Sequence, residues 1–437
     1  MHQVLSPGDK FTAGGASGAV IELIGEGGQG EVYRAEFGGR DVALKWYFPH
    51  MAQPEQRAGI EALVDQGSPD DRFLWPEALA TSDAADGFGY VMRLRGPAYH
   101  DIPDLLADRV QPTFRALVLA CYHTADAYHR LHSAGLCYRD ISFGNLFFDP
   151  STGGVLICDN DNVSVAGVDW DGVAGTDGFM APEVMTGKAR PSAESDLYSL
   201  GVLLFYMLFV HHPLKGRLEH DIRVWDVHAI HRVFGERPVY IFDPTDSSNR
   251  PVPGAQQNAI EYWKVYPNAL KRLFEQHFVG GLLEPNKRVR EPQWKQAFAD
   301  LYDSVFPCPS CGSENFYDLE AMASAAPSAC WSCATPLSHP PRLRIAQRRV
   351  VALGPDTELY PHHLNDVPGS YDFGNAVASV TQNPARPGMW GLTNCSGERW
   401  VAAFSDGRKA EVEDGQTVGL SEGLKLQFGS VEAEVRV

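Results

Sequence analysis

Three oxygen-bearing side chains set the chemistry open to this chain. Asp140 and Asn145 stand five residues apart in Tyr138-Arg139-Asp140-Ile141-Ser142-Phe143-Gly144-Asn145, and the apolar run Val155 to Cys158 leads to a second carboxylate, Asp159. Phosphoryl transfer asks a protein for little covalent work. It needs a carboxylate to orient the attacking hydroxyl and hard oxygen ligands to hold magnesium on the phosphates. Asp140 suits the first task; Asn145 and Asp159 suit the second. A short hairpin between Asn145 and Asp159 is expected to bring the three together.

Phosphates must be delivered to such a site, and the upstream sequence carries the parts. Val20 to Ile24 reads as a strand and runs into Gly25-Glu26-Gly27-Gly28-Gln29-Gly30. Gly25, Gly27 and Gly30 form G-x-G-x-x-G, which in its dinucleotide-binding version opens a helix at the last glycine. Here Glu31 to Phe37 reads as a second strand, so the glycines cover phosphates from a hairpin; an ordinary glycine turn is the competing reading of the motif taken alone. Val42-Ala43-Leu44-Lys45 follows as a third strand, with Lys45 suited to the α- and β-phosphates. The spacing predicts a helix over 54–64 that supplies the partner of Lys45, with Glu61 the choice and Glu55 the alternative. Gly89 to Met92 reads as a strand entering a hinge at Arg93-Leu94-Arg95. Leu117, Val118, Cys121, Ala125, Tyr128 and Leu131 predict a long helix over 115–132, on which His123, His129 and His132 are packing or surface residues. Residues 1–17, rich in Gly, Ser and Ala, read as a loose lead-in.

Downstream, Gly175-Thr176-Asp177-Gly178-Phe179-Met180-Ala181-Pro182-Glu183 resembles the G-T-x-x-[YF]-M-A-P-E close of an activation segment. With the glycine motif, Lys45, the Asp140 loop and Asp159 in order, residues 20 to about 305 resemble the eukaryotic-type protein kinase family. The resemblance implies an α+β bilobal fold, with an N-lobe over 18–92, a hinge over 93–96 and a C-lobe over 97–305. It implies ATP and Mg2+ as cofactors. Lys45, Asp140, Asn145 and Asp159 are then catalytic, and Asn145 and Asp159 bind the metal. Gly25, Gly27, Gly28, Gly30, Val32, Ala43, Lys45, Glu61, Met92, Arg93 and Arg95 then hold the nucleotide. It also implies a Glu183–Arg288 ion pair, with Arg290 the alternative, and Asp196 holding the catalytic-loop backbone. Gly25 to Gly30 and Ile157 to Val163 resemble more narrowly bacterial kinases of tellurite-resistance-type stress systems. Those are encoded with a von Willebrand A protein and a metal-dependent phosphatase, which become expected partners beside a protein substrate.

The chain departs from the family at three places. Tyr138 replaces His, Ser142 replaces the usual lysine, and Asp159-Asn160-Asp161 replaces D-F-G, so that Asp161 either adds a second carboxylate near the metal or faces solvent. These departures motivate an alternative, a pseudokinase scaffold that binds nucleotide with little turnover. A small-molecule phosphotransferase shares the same core, but the Ala181-Pro182-Glu183 close favours a protein substrate, and serine or threonine hydroxyls are the expected acceptors. Residues 236–258, rich in Pro, Asp, Ser and Asn, read as an inserted loop.

In the C-terminal third, Cys308, Cys311, Cys330 and Cys333 form C-x2-C-x18-C-x2-C. That spacing predicts a structural, four-thiolate Zn2+ ribbon over 306–340. Cys121, Cys137, Cys158 and Cys395 lack such pairing and read as buried apolar residues. Over 341–437, short alternating runs punctuated by Asp406-Gly407, Asp414-Gly415 and Glu422-Gly423 predict an all-β sandwich. Trp390 to Asn394, Trp400 and Leu420 to Gly429 resemble a forkhead-associated-type domain, without the Gly-Arg and Ser-x-x-His of its phosphothreonine-binding version. Arg342, Arg344, Arg348 and Arg349 cluster at its start. The formal charge of −18 and pI of about 5.2 argue against nonspecific nucleic-acid binding. The longest apolar stretch, Leu200 to Val210, is too short to span a membrane, for which about 20 residues are needed. No signal peptide is evident, so a reducing cytoplasm is the expected setting.

Overall fold

The computed structural model describes residues 3–165, 175–319, 322, 326–346, 349–364, 369, 371–386 and 388–437. The chain divides into two compact units. One comprises residues 1–111, 123–257 and 274–291; the other comprises 112–122, 258–273 and 292–437. Segments 112–122, 258–273 and 292–305, which precede the expected boundary at 305/306, group with the C-terminal residues in the second unit.

The first unit opens with six strands: β1 (Lys10–Ala13), β2 (Ala16–Glu26), β3 (Gly30–Phe37), β4 (Arg40–Tyr47), β5 (Ala78–Thr81) and β6 (Gly89–Arg93). They close into an antiparallel barrel in the order β1-β2-β3-β4-β6-β5. Closure comes from Thr12 pairing with Thr81 and Ala13 with Ala80. The expected loose lead-in is thus corrected: part of it is strand. Small residues alone suggested looseness, but Leu5 and Phe11 are buried with Val20, Tyr33, Val42 and Trp46 in the barrel core. The Leu5 N–H donates to the Tyr33 hydroxyl at 2.9 Å, and the Val4 N–H to Glu31 at 2.8 Å. The β3–β4 turn uses Gly38 and Gly39, both with positive φ, as a tight two-residue hairpin requires. Gly30 is needed for a different reason: a Cβ there would lie 2.1 Å from the Trp46 carbonyl.

Helix α1 (Pro54–Gln66) starts with proline in its first turn and ends at Gly67, whose φ is 74°. Its inward residues are Ile60 and Leu63. After β6 come β7 (His100–Asp101), helix α2 (Ile102–Leu106), helix α3 (Phe114–Ser133), of which residues up to 122 are counted with the second unit, β8 (Leu136–Cys137), β9 (Leu146–Phe148), β10 (Val155–Ile157) and β11 (Ser164–Val165). The expected hairpin between Asn145 and Asp159 is β9–β10, paired from Leu146↔Ile157 to Phe148↔Val155. After α4 (Pro182–Met185), helix α5 (Ala193–Phe209) is apolar nearly all round and buried along its length, as a central core helix must be. Ser192 and Ser195 cap its start reciprocally. Within the stretch read as an inserted loop, buried Asn249 donates to the carbonyls of Leu214 and Val239, at 2.9 and 2.6 Å.

The second unit contains the pair β12 (Val305–Pro307) and β13 (Glu314–Phe316), then ten further strands. These are β14 (Arg342–Ile345), β15 (Arg349–Ala352), β16 (Glu358–Leu359), β17 (Ala378–Gln382), β18 (Trp390–Asn394), β19 (Trp400–Ala403), β20 (Lys409–Val412), β21 (Thr417–Gly419), β22 (Lys425–Phe428) and β23 (Val431–Arg436). One sheet runs β15-β14-β23-β22-β19-β20 and the other β16-β17-β18-β21. Their alternate apolar residues, including Leu343, Val351, Val380, Leu392, Trp400 and Leu426, form one core. The expected turns lie at Gly407, Gly415 and Gly423, each with positive φ. In the basic cluster, Arg342 pairs with Arg436 in the β14–β23 register, Arg344 pairs with Glu434, and Arg349 donates to the His362 carbonyl. Arg348 lies outside the described residues. No described helix is long and apolar enough to cross a membrane.

Candidate active site

The loop carrying Asp140 is held from below. Asp196, in the first turn of α5, is buried and accepts the N–H groups of Tyr138 at 2.5 Å and Arg139 at 2.9 Å. Arg139 takes a left-handed φ of 74°, which turns the chain so that Asp140 leaves the core. His132 bridges Asp196, at 3.1 Å, and Glu291. Burial disfavours its charge, but hydrogen bonds to both carboxylates outweigh that and raise its pKa to about 10. Tyr138 packs edge-on to Tyr128, and its hydroxyl donates to the Cys158 carbonyl, immediately before Asp159. The residue that replaces the usual histidine therefore ties the Asp140 loop to the Asp159 segment.

Asp140 is half-buried. Its Oδ1 accepts the Thr176 hydroxyl at 2.7 Å, and its backbone carbonyl accepts the Asn145 amide at 2.9 Å. Since the Asn145 nitrogen is directed at Asp140, its oxygen is the end left for a cation. Asp159 sits in the left-handed region, with φ 51° and ψ 44°, and its Oδ1 lies 3.3 Å from Lys45 Nζ. Burial raises its pKa, against the pull of the Lys45 charge. One carboxylate and one amide oxygen are the donors magnesium prefers, and Asp159 and Asn145 would hold it. When bound, magnesium draws charge from phosphate oxygens. Asn160, at the usual phenylalanine position, is buried and donates to the Leu74 and Ile157 carbonyls at 2.9 and 3.0 Å, fixing this turn by hydrogen bonds instead of ring packing.

Lys45 is buried on β4, with Nζ 2.8 Å from Asp161 and 3.2 Å from the Gln29 amide oxygen. Burial works against its charge, yet Asp161 and Asp159 more than compensate, and its pKa rises. Asp161 does not face solvent: its side chain is buried against Lys45. Glu61 is a correction: it is exposed and pairs with Arg57, one turn away at 3.1 Å. Helical periodicity explains the miss, since Gln56, Ile60 and Leu63 share the inward face while Glu61 lies on the other side, and Glu55 is exposed as well.

Among the residues expected to hold nucleotide, Val32 stands opposite Lys45 and Ala43 opposite Met92, so these four lie on one face of the barrel. The glycines of 25–30 form the β2–β3 turn, closed by a Gly27 N–H to Gly30 carbonyl bond of 2.9 Å. Arg93 donates to the Asp71 carbonyl, and the Arg95 guanidinium lies over the Phe147 ring. Ser142, which stands where the kinases it resembles have lysine, is buried. Glu183 meets Arg288 through two parallel bonds of 2.7 Å. Sequence reasoning missed Tyr47, whose hydroxyl donates to Asp161, and Gln29. Alternation could have found Tyr47, two residues from Lys45 on the same strand.

In the second unit, the sulfurs of Cys308, Cys311, Cys330 and Cys333 lie within 4.8 Å of one another. Cys308 to Cys333 is 3.8 Å and Cys311 to Cys330 is 3.7 Å. A tetrahedron of sulfurs about 2.3 Å from zinc has edges of about 3.8 Å, so the donor set fits that ion. Two matching turns present the sulfurs, each closed by a backbone bond of 2.9 Å, Gly312 N–H to the Cys308 carbonyl and Ala334 N–H to the Cys330 carbonyl. The Ser310 N–H and the Asn315 amide donate to Cys308 and Cys330 sulfurs, as thiolates require. Of the unpaired cysteines, Cys121 and Cys137 are buried, whereas Cys395, on the turn after β18, is exposed.

Comparison with known proteins agrees with this geometry. Residues 98–296 match the protein kinase domain family, a span that includes Asp140, Asn145, Asp159 and Glu183 but begins after Lys45. The chain is 30% identical over 226 residues to the DNA damage-responsive serine/threonine-protein kinase RqkA of Deinococcus radiodurans, covering 46% of this chain and 31% of that one. It is 26% identical over 349 residues to serine/threonine-protein kinase PknD of Chlamydia caviae, covering 69% and 36%. It is 28% identical over 219 residues to serine/threonine-protein kinase A of Synechocystis, covering 45% and 41%. The chain thus spans less than half the length of each of these relatives. Over residues 98–296 the chain is similar to protein kinase domains, and the bacterial proteins it resembles are serine/threonine kinases.

Proposed function

We propose that this chain is an ATP- and magnesium-dependent protein kinase that transfers the γ-phosphate to serine or threonine hydroxyls of a partner protein or of itself. The observation that carries this reading is the convergence of Asp140, Asn145, Asp159 and Lys45 from three separate stretches, on supports that hold them in place. Asp140 orients the acceptor hydroxyl and takes its proton, Lys45 positions phosphate, and Asn145 and Asp159 hold the metal. The zinc ribbon over 306–340 and the sandwich over 341–437 serve recruitment. The order of the sandwich strands, with first and last adjacent in one sheet, supports a forkhead-associated-like fold. The likeness of residues 25–30 and 157–163 to tellurite-resistance-type kinases favours a von Willebrand A protein and a metal-dependent phosphatase as partners in a cytoplasmic stress response. Buried Ser142, where a lysine is usual, favours the second reading, a nucleotide-binding scaffold.

The test is phosphate transfer from radiolabelled ATP, with and without magnesium, by wild type and Asp140→Asn, followed by phosphoamino-acid analysis. Label on serine or threonine that disappears in the variant is expected. ATP binding without transfer by the wild type would overturn the kinase reading in favour of the scaffold.

A further inference from the structure

Lys45 lacks the helix carboxylate expected of it, and a buried cation must be matched by an opposite charge. The match stands two residues after Asp159. The Asp161 side chain is fully buried; its Oδ2 lies 2.8 Å from Lys45 Nζ and also accepts the Tyr47 hydroxyl. Gln56, on the inward face of α1, donates to that hydroxyl at 3.1 Å. Helix α1 thus reaches the lysine through neutral groups. The second oxygen, Asp161 Oδ1, is buried with no hydrogen-bond partner among the described residues. A bare buried carboxylate oxygen calls for a partner.

We infer that Asp161 is a positioning residue that holds Lys45 toward the phosphates in place of a helix glutamate. Lysine anchoring and metal binding then reside in one three-residue segment, Asp159 to Asp161. Movement of α1 removes no charge from Lys45, so this helix is not the element that switches the lysine. The inference rests on the kinase reading of the site, and Oδ1 leaves room for a further bond when the site is loaded.

Two measurements on the full chain test it. In the first, Asp161→Asn lowers kcat about 100-fold, the loss that a small misplacement of a positioned group causes, while KM for ATP changes far less. Glu61→Gln keeps the wild-type kcat. Wild-type turnover by Asp161→Asn, or an equal loss in Glu61→Gln, overturns the assignment. In the second, Lys45→Met, Asp161→Asn and the double variant are unfolded thermally without nucleotide. The double variant melts above Asp161→Asn alone, because removing the lysine removes the stranded charge. Simple additivity overturns the pairing. If Asp161→Asn alone does not fold, folding of the double variant carries the same support, and its failure the same refutation. If the wild type transfers no phosphate, the proposed function falls, while the unfolding cycle still decides the role of Asp161.

Discussion

Glu183→Ala removes one half of a buried pair, and the structure sets the size of the loss. The Arg288 side chain is 0% exposed. Its guanidinium makes two 2.7 Å bonds to Glu183, one of 2.7 Å to the Glu194 carbonyl and one of 3.0 Å to the Gly281 carbonyl, over the ring of Tyr198. Truncating Glu183 leaves half of those bonds unmade and a cation without its anion. Breaking a buried pair costs about 3–5 kcal/mol, and because Glu183 is 18% exposed, water softens the loss toward about 3. At roughly 2–4 °C per kcal/mol for a unit of this size, the melting temperature falls by about 6–12 °C. Arg288→Ala costs at least as much, since its stem also packs. The assay is urea and thermal unfolding of the full chain with both single variants and the double. The double variant should be more stable than the sum predicts by about 1–3 kcal/mol. Additivity for Glu183 and Arg288, or coupling of Glu183 to Arg290 instead, would refute the reasoning.

Lys45→Met should lower kcat/KM for ATP about 100-fold or more through lost phosphate positioning, read in a steady-state transfer assay. Purified protein should carry about one zinc in a four-sulfur shell, by elemental analysis and X-ray absorption; Cys311→Ser should release it and expose residues near 308–333 to protease. Because His132 has a folded pKa of about 10, above its unfolded value near 6.5, its contribution to stability is full below about pH 6.5 and is lost as pH rises toward 10. Urea unfolding of wild type against His132→Gln across that window should show the difference shrinking as pH rises. Gly30→Ala should loosen the β3–β4 pairing, since its Cβ would meet the Trp46 carbonyl at 2.1 Å, and ATP affinity measured by titration should fall about 10-fold or more.

What was legible in the sequence is what lies within a few residues along the chain. Asp140, Asn145 and Asp159 are linked by one loop and one hairpin, so their spacing nearly determines their meeting. The Glu183–Arg288 pair was legible because both ends sit in short, distinctive stretches. Glu61 failed because assigning a helix is easier than assigning its rotation: an error of one residue turns a side chain by about 100°, from lysine to solvent. Asp161 was left open because whether a carboxylate faces in or out depends on Lys45 and Tyr47, more than 110 residues away. β1 was missed because the Gly, Ser and Ala around it hide a strand that pairs along its length with β2 and, far along the chain, with two residues of β5.

The closed barrel has a consequence for how partners engage this protein. Capture of a peptide by adding it as a strand needs a free row of backbone donors and acceptors, and a closed barrel leaves none at either side. A substrate segment approaching those six strands must therefore be gripped by side chains and loops. The sandwich differs, because among the described residues β15 and β20 each pair on one side alone, as do β16 and β21. Main-chain templating, whether by a partner or by unwanted self-association, is confined there to four short strands of two to four residues each.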